Sequence, residues 1–481
     1  MANICAIVLN SVSRDARVLK EAASLQAAGH TVTIIGLTDK QFNAQHEQLA
    51  NGVTIKRVDI YRQQLIARTA LRFLAFSLIG ALCFMVAFYE SIRAMFAYSL
   101  FGLSLMIASF YLYQLLCQIS ALGNEKMADG PPPIASFRNR FYRIILPLRK
   151  IASALLKNFL RYLWRVLRTY FIIWRLKEVK ADIVHCHDVH SLPVGLSIKR
   201  KTRCKLIYDA HEIYEEVPQA GAGYRLYCRL LHRRAQRHLD GFITINESIA
   251  QWYAEHYPAF PKAVIIMNAT QKMPSPEYDG RLHEAARLSR DTQILLYQGG
   301  FSTHRGLPYL LEAAGHLPPD WALVMMGWGS YEDYLRELAT QVNARTIQAC
   351  NRHEVIRFIP PAPQAELAAW TAGATIGVIP YENTGLNHWL CTPNKLWEYP
   401  NANVPVLVSP FPELRRPVET YGYGWVLPED QEPRALGVMI ANLSVAEIAK
   451  AKGNCARFID ENHWDIYAKR LTDAYAVWTK L

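Results

Sequence analysis

Apolar runs and helical stripes alternate along most of the chain. Residues 4–9 form an unbroken apolar run, closed by the turn Asn10-Ser11-Val12-Ser13-Arg14. A short apolar run with a polar stop predicts a buried strand. Asp15 stands where it can cap the next helix, in which Val18, Leu19, Ala22, Ala23 and Leu25 make an apolar stripe. Gly29 ends that helix, and residues 31–36 read as a second strand. This is the opening β-α-β of a doubly wound sheet. Residues 53–58 make a plausible third strand, and the series resumes only at 183–187, with further runs at 205–209, 241–245 and 263–267.

A looser stretch, 271–291, holds Pro274, Pro276 and Gly280 and predicts an interdomain linker. The alternation then restarts. Strands are expected at 294–297, 323–326, 355–359, 376–379 and 404–408, and helices at 307–314, 366–372 and 395–399. Two Rossmann-like halves joined by a linker imply two domains facing across a cleft.

The gap between the third and fourth strands has its own pattern. Residues 73–89 are uncharged, residues 94–124 are uncharged, and only Glu90 and Arg93 are charged between them. Seventeen residues make about 25 Å of helix, the short end for a bilayer span, and 31 are ample. The short turn favours an antiparallel helical hairpin over about 73–122, either spanning the bilayer or re-entrant at half depth, with a buried helical pair as the alternative. Arg62, Arg68 and Arg72 precede it and basic residues follow, so both ends are expected on the cytosolic side.

Charge sharpens this picture. Residues 137–180 carry twelve Lys and Arg against one acid, Glu178, in a chain whose net charge is +12. Arg161, Arg165 and Arg168 recur at helical spacing among Leu160, Leu163, Trp164, Leu167, Tyr170, Phe171 and Trp174. Such a helix suits the headgroup layer of anionic lipid, where each basic residue contributes about 1 kcal/mol. The aromatics are too dense for a phosphate-tracking face, so no nucleic-acid partner is expected. The nine cysteines are scattered without a CxxC pair, which points to neither a disulfide framework nor a thiolate zinc site. The first apolar run lacks a basic flank and is too short for a signal peptide.

The second half offers the sharper chemistry. Residues 297–307, YQGGFSTHRGL, read as strand, Gly-rich turn, cation and helix start. Backbone N–H groups at Gly299 and Gly300, with Arg305, suit a diphosphate. Residues 392–399, TPNKLWEY, begin a helix with Asn394 and Lys395 placed for phosphate and Glu398 placed to accept from ribose hydroxyls. In the first half, His185 and His187 alternate on one strand, His190 follows in the loop, and His211-Glu212 ends the next strand. Three readings stand for these histidines: a metal site, hydrogen-bonded core or loop residues, and contact with a substrate.

These pieces together resemble the retaining glycosyltransferases of family 4, which have the GT-B fold. The matching stretches are 15–22 (DARVLKEA), 182–188 (DIVHCHD), 208–212 (YDAHE), 297–300 (YQGG), 393–399 (PNKLWEY) and 412–415 (PELR). They follow the family's order and cover nearly the whole chain except the insert. The resemblance implies an N-terminal acceptor domain, residues 1–62 and 181–272; the membrane insert read from composition and charge, 63–180, interrupts it. It implies a C-terminal nucleotide-sugar domain at 290–460 and a last helix at 461–481 packing back on the first domain. It further implies that Glu398 binds ribose, that Arg305 and Lys395 neutralise the leaving diphosphate without a metal, and that Gly299, Gly300 and Asn394 border the donor. His187, His190 and His211 are the implied contacts to the transferred sugar or acceptor. Four positions depart from the pattern: Leu390 replaces a carboxylate, Gly300 an Arg, Arg305 a Lys and Asn403 a Gly. They bear on the identity of the sugar rather than on the reaction type.

The expected enzyme is membrane-anchored, with its catalytic domains in the cytoplasm. It moves a sugar from a UDP- or GDP-sugar to a lipid-linked saccharide or glycolipid in polysaccharide or glycan assembly. A nucleotide-sugar epimerase on the same scaffold and an inactive membrane scaffold are the alternatives.

Overall fold

The computed structural model describes residues 1–59 and 176–480, apart from residues 14, 40, 177–178, 219, 275, 351–353 and 430, together with 168–169 and 171–173. The chain divides into one unit of Met1–Val58 with Arg175–Leu481 and a second of Asp59–Trp174. The expected hairpin at 73–122 and most of the basic helix at 137–180 lie outside the described residues. Among the described residues, no helix is long and apolar enough to cross a membrane.

The first unit is α/β and carries two sheets. The first contains β1 (Asn3–Ile7), β2 (Thr31–Leu37), β3 (His46–Gln48), β4 (Thr54–Val58), β5 (Ile183–His187), β6 (Lys205–Ala210), β7 (Gly241–Thr244) and β8 (Ala263–Ile265), in the order β3-β4-β2-β1-β5-β6-β7-β8. Only the β3–β4 pair is antiparallel. The second contains β9 (Gln293–Gly300), β10 (Trp321–Trp328), β11 (Ile356–Ile359), β12 (Ile376–Ile379), β13 (Val406–Val408) and β14 (Gly424–Val426). Its order is β11-β10-β9-β12-β13-β14, parallel throughout. Each sheet therefore has one point where the winding reverses, beside β1 and β5 in the first and beside β9 and β12 in the second. Ligands of such sheets bind in the crevice beyond the carboxyl ends of the strands at that point.

Local sequence explains these elements. Strands β5, β6 and β7 are buried at every position except Lys205, as expected for parallel strands covered on both faces. The helix Ala16–Ala27 starts where Asp15 Oδ1 accepts from Val18 N at 3.2 Å, and turns out of its last residues at Gly29, φ +89°. At Gly36 a Cβ would lie 2.4 Å from Val12 Cγ2 and 2.9 Å from Asn10 O, so only glycine lets the loop after β1 cross β2.

The structure adds elements that periodicity did not indicate. The linker holds a short helix, Arg281–Ala286, that buries Leu282. Strand β3 is exposed at all three positions and polar, so it carried no apolar signal. The last helix, expected at 461–481, runs over Trp464–Trp478 and lies against the helix Ala16–Ala27. It is pinned by Trp464 N to Thr270 O at 2.8 Å and Trp464 Nε1 to Ser24 Oγ at 3.1 Å.

Candidate active site

The two switch points face one cleft of about 480 Å³, and direct hydrogen bonds fix its floor. Asn387 Oδ1 accepts from Ile213 N at 2.8 Å, and Asn246 Nδ2 donates to the Leu390 carbonyl at 2.7 Å. Ser248 N donates to Glu413 Oε1 at 3.1 Å. Each bond joins a loop or helix after a first-sheet strand to the segment after β12 or β13, so the two walls are held in register.

The wall from the second sheet is cationic. The turn after β9 brings Arg305 over the Tyr381 ring, 4.3 Å from its centroid. Gly306 enters the helix Leu307–Ala314 at φ +66°, and a Cβ there would meet the Pro380 carbonyl at 1.6 Å. That close approach sets Arg305 beside the loop after β12. Lys395 Nζ lies 5.4 Å from the Tyr297 centroid and 5.8 Å from that of Tyr381. A Cβ on Gly299, where φ is +124°, would lie 2.8 Å from Lys395 Nζ, so the bare backbone makes room for the ammonium. Glu398 Oε2 accepts from Gln298 Nε2 at 3.0 Å, and Gln298 Oε1 accepts from Thr371 Oγ1 at 2.7 Å. The carboxylate is thereby aimed, and it lines the cleft.

The opposite wall is a charge cluster. Arg17 grips the buried Asp209 with two bonds, Nε to Oδ2 at 3.0 Å and Nη2 to Oδ1 at 2.9 Å. Its remaining nitrogen donates to Ile266 O at 2.7 Å and Asn268 Oδ1 at 2.9 Å. Asp209 Oδ2 also meets His211 Nε2 at 2.8 Å and His187 Nδ1 at 3.2 Å. His211 Nδ1 lies 3.2 Å from Asp188 Oδ1, and Tyr214 donates to the same Asp188 oxygen. Burial opposes charge on His211, but Asp209 and then Asp188 raise its pKa well above 6.5. Burial likewise opposes charge on the two carboxylates, yet Arg17 and then His211 hold Asp209 well below its usual value, and His211 and Tyr214 bring Asp188 down to about 2. His211 is therefore an imidazolium that lines the cleft.

Two more ionisable groups border this wall. Burial raises the Glu212 carboxyl, Asp188 adds to the rise, and His211 and Arg305 resist it. Burial brings Lys20 down to about 8, helped by Arg17. Lys20 Nζ donates to Ala269 O at 2.6 Å. Lys20 belongs to a second pocket of about 390 Å³ that also takes in Asn10, Asp15 and Arg17. His211, Asn268 and Asn394 line both spaces, so the two adjoin.

Among the described residues, Glu21, His185, His187 and Asp209 offer ligand atoms all within 4.8 Å of one another, all buried. Arg17 already places its guanidinium against both carboxylates of that set. A divalent ion there would have to share the space with a fixed positive charge, so these residues fit a metal poorly.

Residues 114–269 match the model of a Glycosyl transferase 4-like domain, and 292–444 that of Glycosyl transferases group 1. An uncharacterized glycosyltransferase of Methanocaldococcus jannaschii is 24% identical over 320 residues, 62% of this chain and 76% of its own. The D-inositol 3-phosphate glycosyltransferase of Streptosporangium roseum is 24% identical over 325 residues, 61% and 69% of the two chains. Among solved structures, the sucrose-phosphate synthase of Thermosynechococcus elongatus superposes with a TM-score of 0.60 at 13% identity, over 99% and 98% of the chains. An Anabaena protein in complex with UDP-glucose does so at 0.57 and 13%, over 99% and 100%. The chain is a glycosyltransferase of the GT-B type.

The cleft of this glycosyltransferase gathers most of the residues singled out in its sequence. Gly299, Asn394, Lys395, Glu398, Arg305 and His211 all line it. Three do not. Gly300 is exposed and sits beside the cleft, its nearest neighbour for an added Cβ being the Trp328 carbonyl at 4.0 Å. His187 is buried behind Asp209 and reaches the cleft only through it. His190 turns away, with Nε2 3.3 Å from Tyr224 Oη and its ring stacked on Tyr227. Leu390, which departs from the family's carboxylate, is 8% exposed and does not line the cleft.

Sequence reasoning did not assign Arg17, Asp188, Asp209, Glu212, Gln298 or Tyr381 to the site. Arg17 and Asp209 are 192 positions apart, and neither local spacing nor periodicity connects them. A signal existed in the matched stretches 15–22 and 208–212, which contain both residues.

Proposed function

We propose that this glycosyltransferase takes a UDP- or GDP-sugar in the cleft between its two sheets and transfers the sugar with retained anomeric configuration, without a metal. The carrying observation is the convergence of Arg305, Lys395 and Glu398 on one wall, with the His211 imidazolium on the other. Arg305 and Lys395 meet the diphosphate and stabilise the charge that grows on it as the glycosidic bond breaks. Glu398, aimed by Gln298, accepts from the ribose hydroxyls. The His211 imidazolium, with both N–H groups held by Asp209 and Asp188, faces the transferred sugar with its positive charge, and Asn394 and Gly299 border the donor. The adjoining pocket around Lys20 and Asp15 receives the acceptor, within reach of His211. His187 supports Asp209 from behind rather than touching substrate, and His190 takes no part.

The related protein from Anabaena binds UDP-glucose, and that ligand class supports the donor proposed here. The acceptor is a lipid-linked saccharide or glycolipid, presented at a membrane on whose cytosolic side the two catalytic sheets lie. The support is compositional: the uncharged stretches within 73–124 and the basic stretch 137–180 interrupt the acceptor half.

Incubation with labelled UDP- and GDP-sugars and extracted membrane lipid tests this reading. Label should appear in the lipid phase. A new free sugar nucleotide would mean epimerisation instead. A thermal-shift panel in which no sugar nucleotide raises Tm would sink the donor assignment.

A further inference from the structure

Beneath the His211 wall lies a buried group that the transfer chemistry above does not use. Glu21 is 1% exposed and His185 is fully buried. Arg17 Nε lies 3.0 Å from Glu21 Oε1, but its single hydrogen is directed at Asp209 Oδ2. Both Glu21 oxygens and His185 Nε2 are therefore left without a hydrogen-bond partner. They face each other, with His185 Nε2 3.8 Å from Glu21 Oε2.

The other ring nitrogen is occupied from a distant part of the chain. His185 Nδ1 lies 2.8 Å from the hydroxyl of Tyr475, 290 positions away on the helix Trp464–Trp478. Burial keeps that phenol protonated, so its O–H needs an acceptor, and among the described residues its partner is Nδ1. Accepting at Nδ1 puts the ring proton of His185 on Nε2, aimed at Glu21.

Two routes lead from there to Asp209. Through Glu21, His185 backs the face of Arg17 that grips Asp209. Through its ring, His185 stacks on His187 with centroids 4.1 Å apart, and His187 Nδ1 meets Asp209 Oδ2. Both routes end on the oxygen that holds His211. We propose that Tyr475 is a positioning residue for the transfer reaction: by fixing the ring of His185 it holds Glu21, His187 and Arg17 in place around Asp209, and so sets His211 in the cleft. The C-terminal helix is then part of the active site's support and not only a clasp. This rests on the reading of the cleft given above.

The test uses the full chain and Tyr475→Phe, which keeps the ring and removes only the hydroxyl. Misplacement of a group at the reacting centre by about 1 Å costs up to about 100-fold in rate. The expected result is a fall of about that size in kcat, with the donor KM within about twofold of wild type. Tyr467→Phe, on the same helix, is the control: it removes a hydroxyl that meets Asn462 Oδ1 and Met267 Sδ at 3.2 Å and leaves the Tyr475 ring and its Trp478 neighbour in place. An unchanged kcat in Tyr475→Phe, or an equal fall in Tyr467→Phe, overturns the proposal.

Ring ¹⁵N shifts of the histidines supply a readout that needs no substrate. In Tyr475→Phe the His185 tautomer should mix and the His211 titration midpoint should fall, with both unchanged in Tyr467→Phe. Silence of His211 in Tyr475→Phe overturns the proposal. If the wild type neither transfers nor hydrolyses any UDP- or GDP-sugar, the donor reading fails instead, and the histidine shifts alone decide the role of Tyr475.

Discussion

His211 Nε2 stands 2.8 Å from Asp209 Oδ2, and the same imidazole has Asp188 on its other nitrogen at 3.2 Å. A histidine held between two carboxylates is a fixed cation at neutral pH. Asp188 has non-glycine backbone at φ +63°, a conformation maintained only where its surroundings demand it. Asp188→Asn should remove half of the clamp while keeping the shape. The His211 midpoint should drop toward 6.5, and transfer should begin to fail as pH rises through the new midpoint. Ring ¹⁵N titration and a pH–rate profile read both effects, and an unmoved midpoint would exclude the clamp.

The same cluster sets a dependence of stability on pH. The folded pKa of His211 is raised, so its contribution is present below 6.5 and is lost as pH rises through the folded value. Asp209 and Asp188 are depressed, so theirs is present above 3.8 and is lost as pH falls. Burial pushes Glu21 up to about 7, against the pull of Arg17, so its ionisation erodes stability between 4.5 and 7. The cluster as a whole is most stabilising near pH ~5. Glu21→Gln, a neutral replacement of the same size, should flatten the decline between those two values in a plot of Tm against pH. A decline as steep as in wild type would place the effect elsewhere.

Arg305→Ala should leave the fold intact, since the side chain is half-buried and lies over the Tyr381 ring at the cleft. Losing a charge aimed at a leaving diphosphate costs about 10²- to 10³-fold in kcat. Sugar-nucleotide binding, followed by thermal shift, should weaken at the same time. A variant that turns over at the wild-type rate would remove Arg305 from the mechanism.

Leu390 tests whether the departure from the family's carboxylate can be reversed. The family resemblance alone would make Leu390→Glu a restoration. The structure says otherwise, because the side chain is 8% exposed and does not line the cleft, and the backbone carbonyl holds Asn246. An unpaired buried carboxylate costs about 3 kcal/mol or more. Leu390→Glu should therefore lower Tm and gain no activity with any donor, and a gain in transfer rate would contradict this placement.

How much of this was legible in the sequence follows from where the signals come from. Strands β5 and β6 are apolar because both faces are covered, so their positions could be read directly. The helix start at Lys395 and the Gly-rich turn after β9 were readable because local backbone chemistry dictates them. Strand β3 was not, since an exposed edge strand has no burial pattern to betray it. His187 and His190 looked alike in the chain. Only the fold shows that one points behind Asp209 and the other to Tyr224 and Tyr227. The contact of Tyr475 with His185 depends on the path of the last helix, which no local pattern encodes.

The insert offers the widest test, and topology makes the experiment feasible. The chain leaves the sheet at Val58, the end of β4, and returns at Ile183, the start of β5, with β2 and β1 between those strands. That crossover spans three strand spacings, about 14 Å. A parallel crossover needs only about a dozen residues. Removing residues 73–124 leaves 59–72 and 125–182 to make it, so the sheet can still close. The cleft residues Arg305, Lys395, Glu398 and His211 all lie outside the removed segment. The shortened protein should therefore bind sugar nucleotide as the wild type does, and should hydrolyse it slowly to water. Transfer to extracted lipid or to vesicles containing anionic lipid should be lost. Lipid transfer at the wild-type rate would show that the uncharged stretches do not bring the acceptor to the cleft. Loss of nucleotide binding would show that they support the fold of the first sheet.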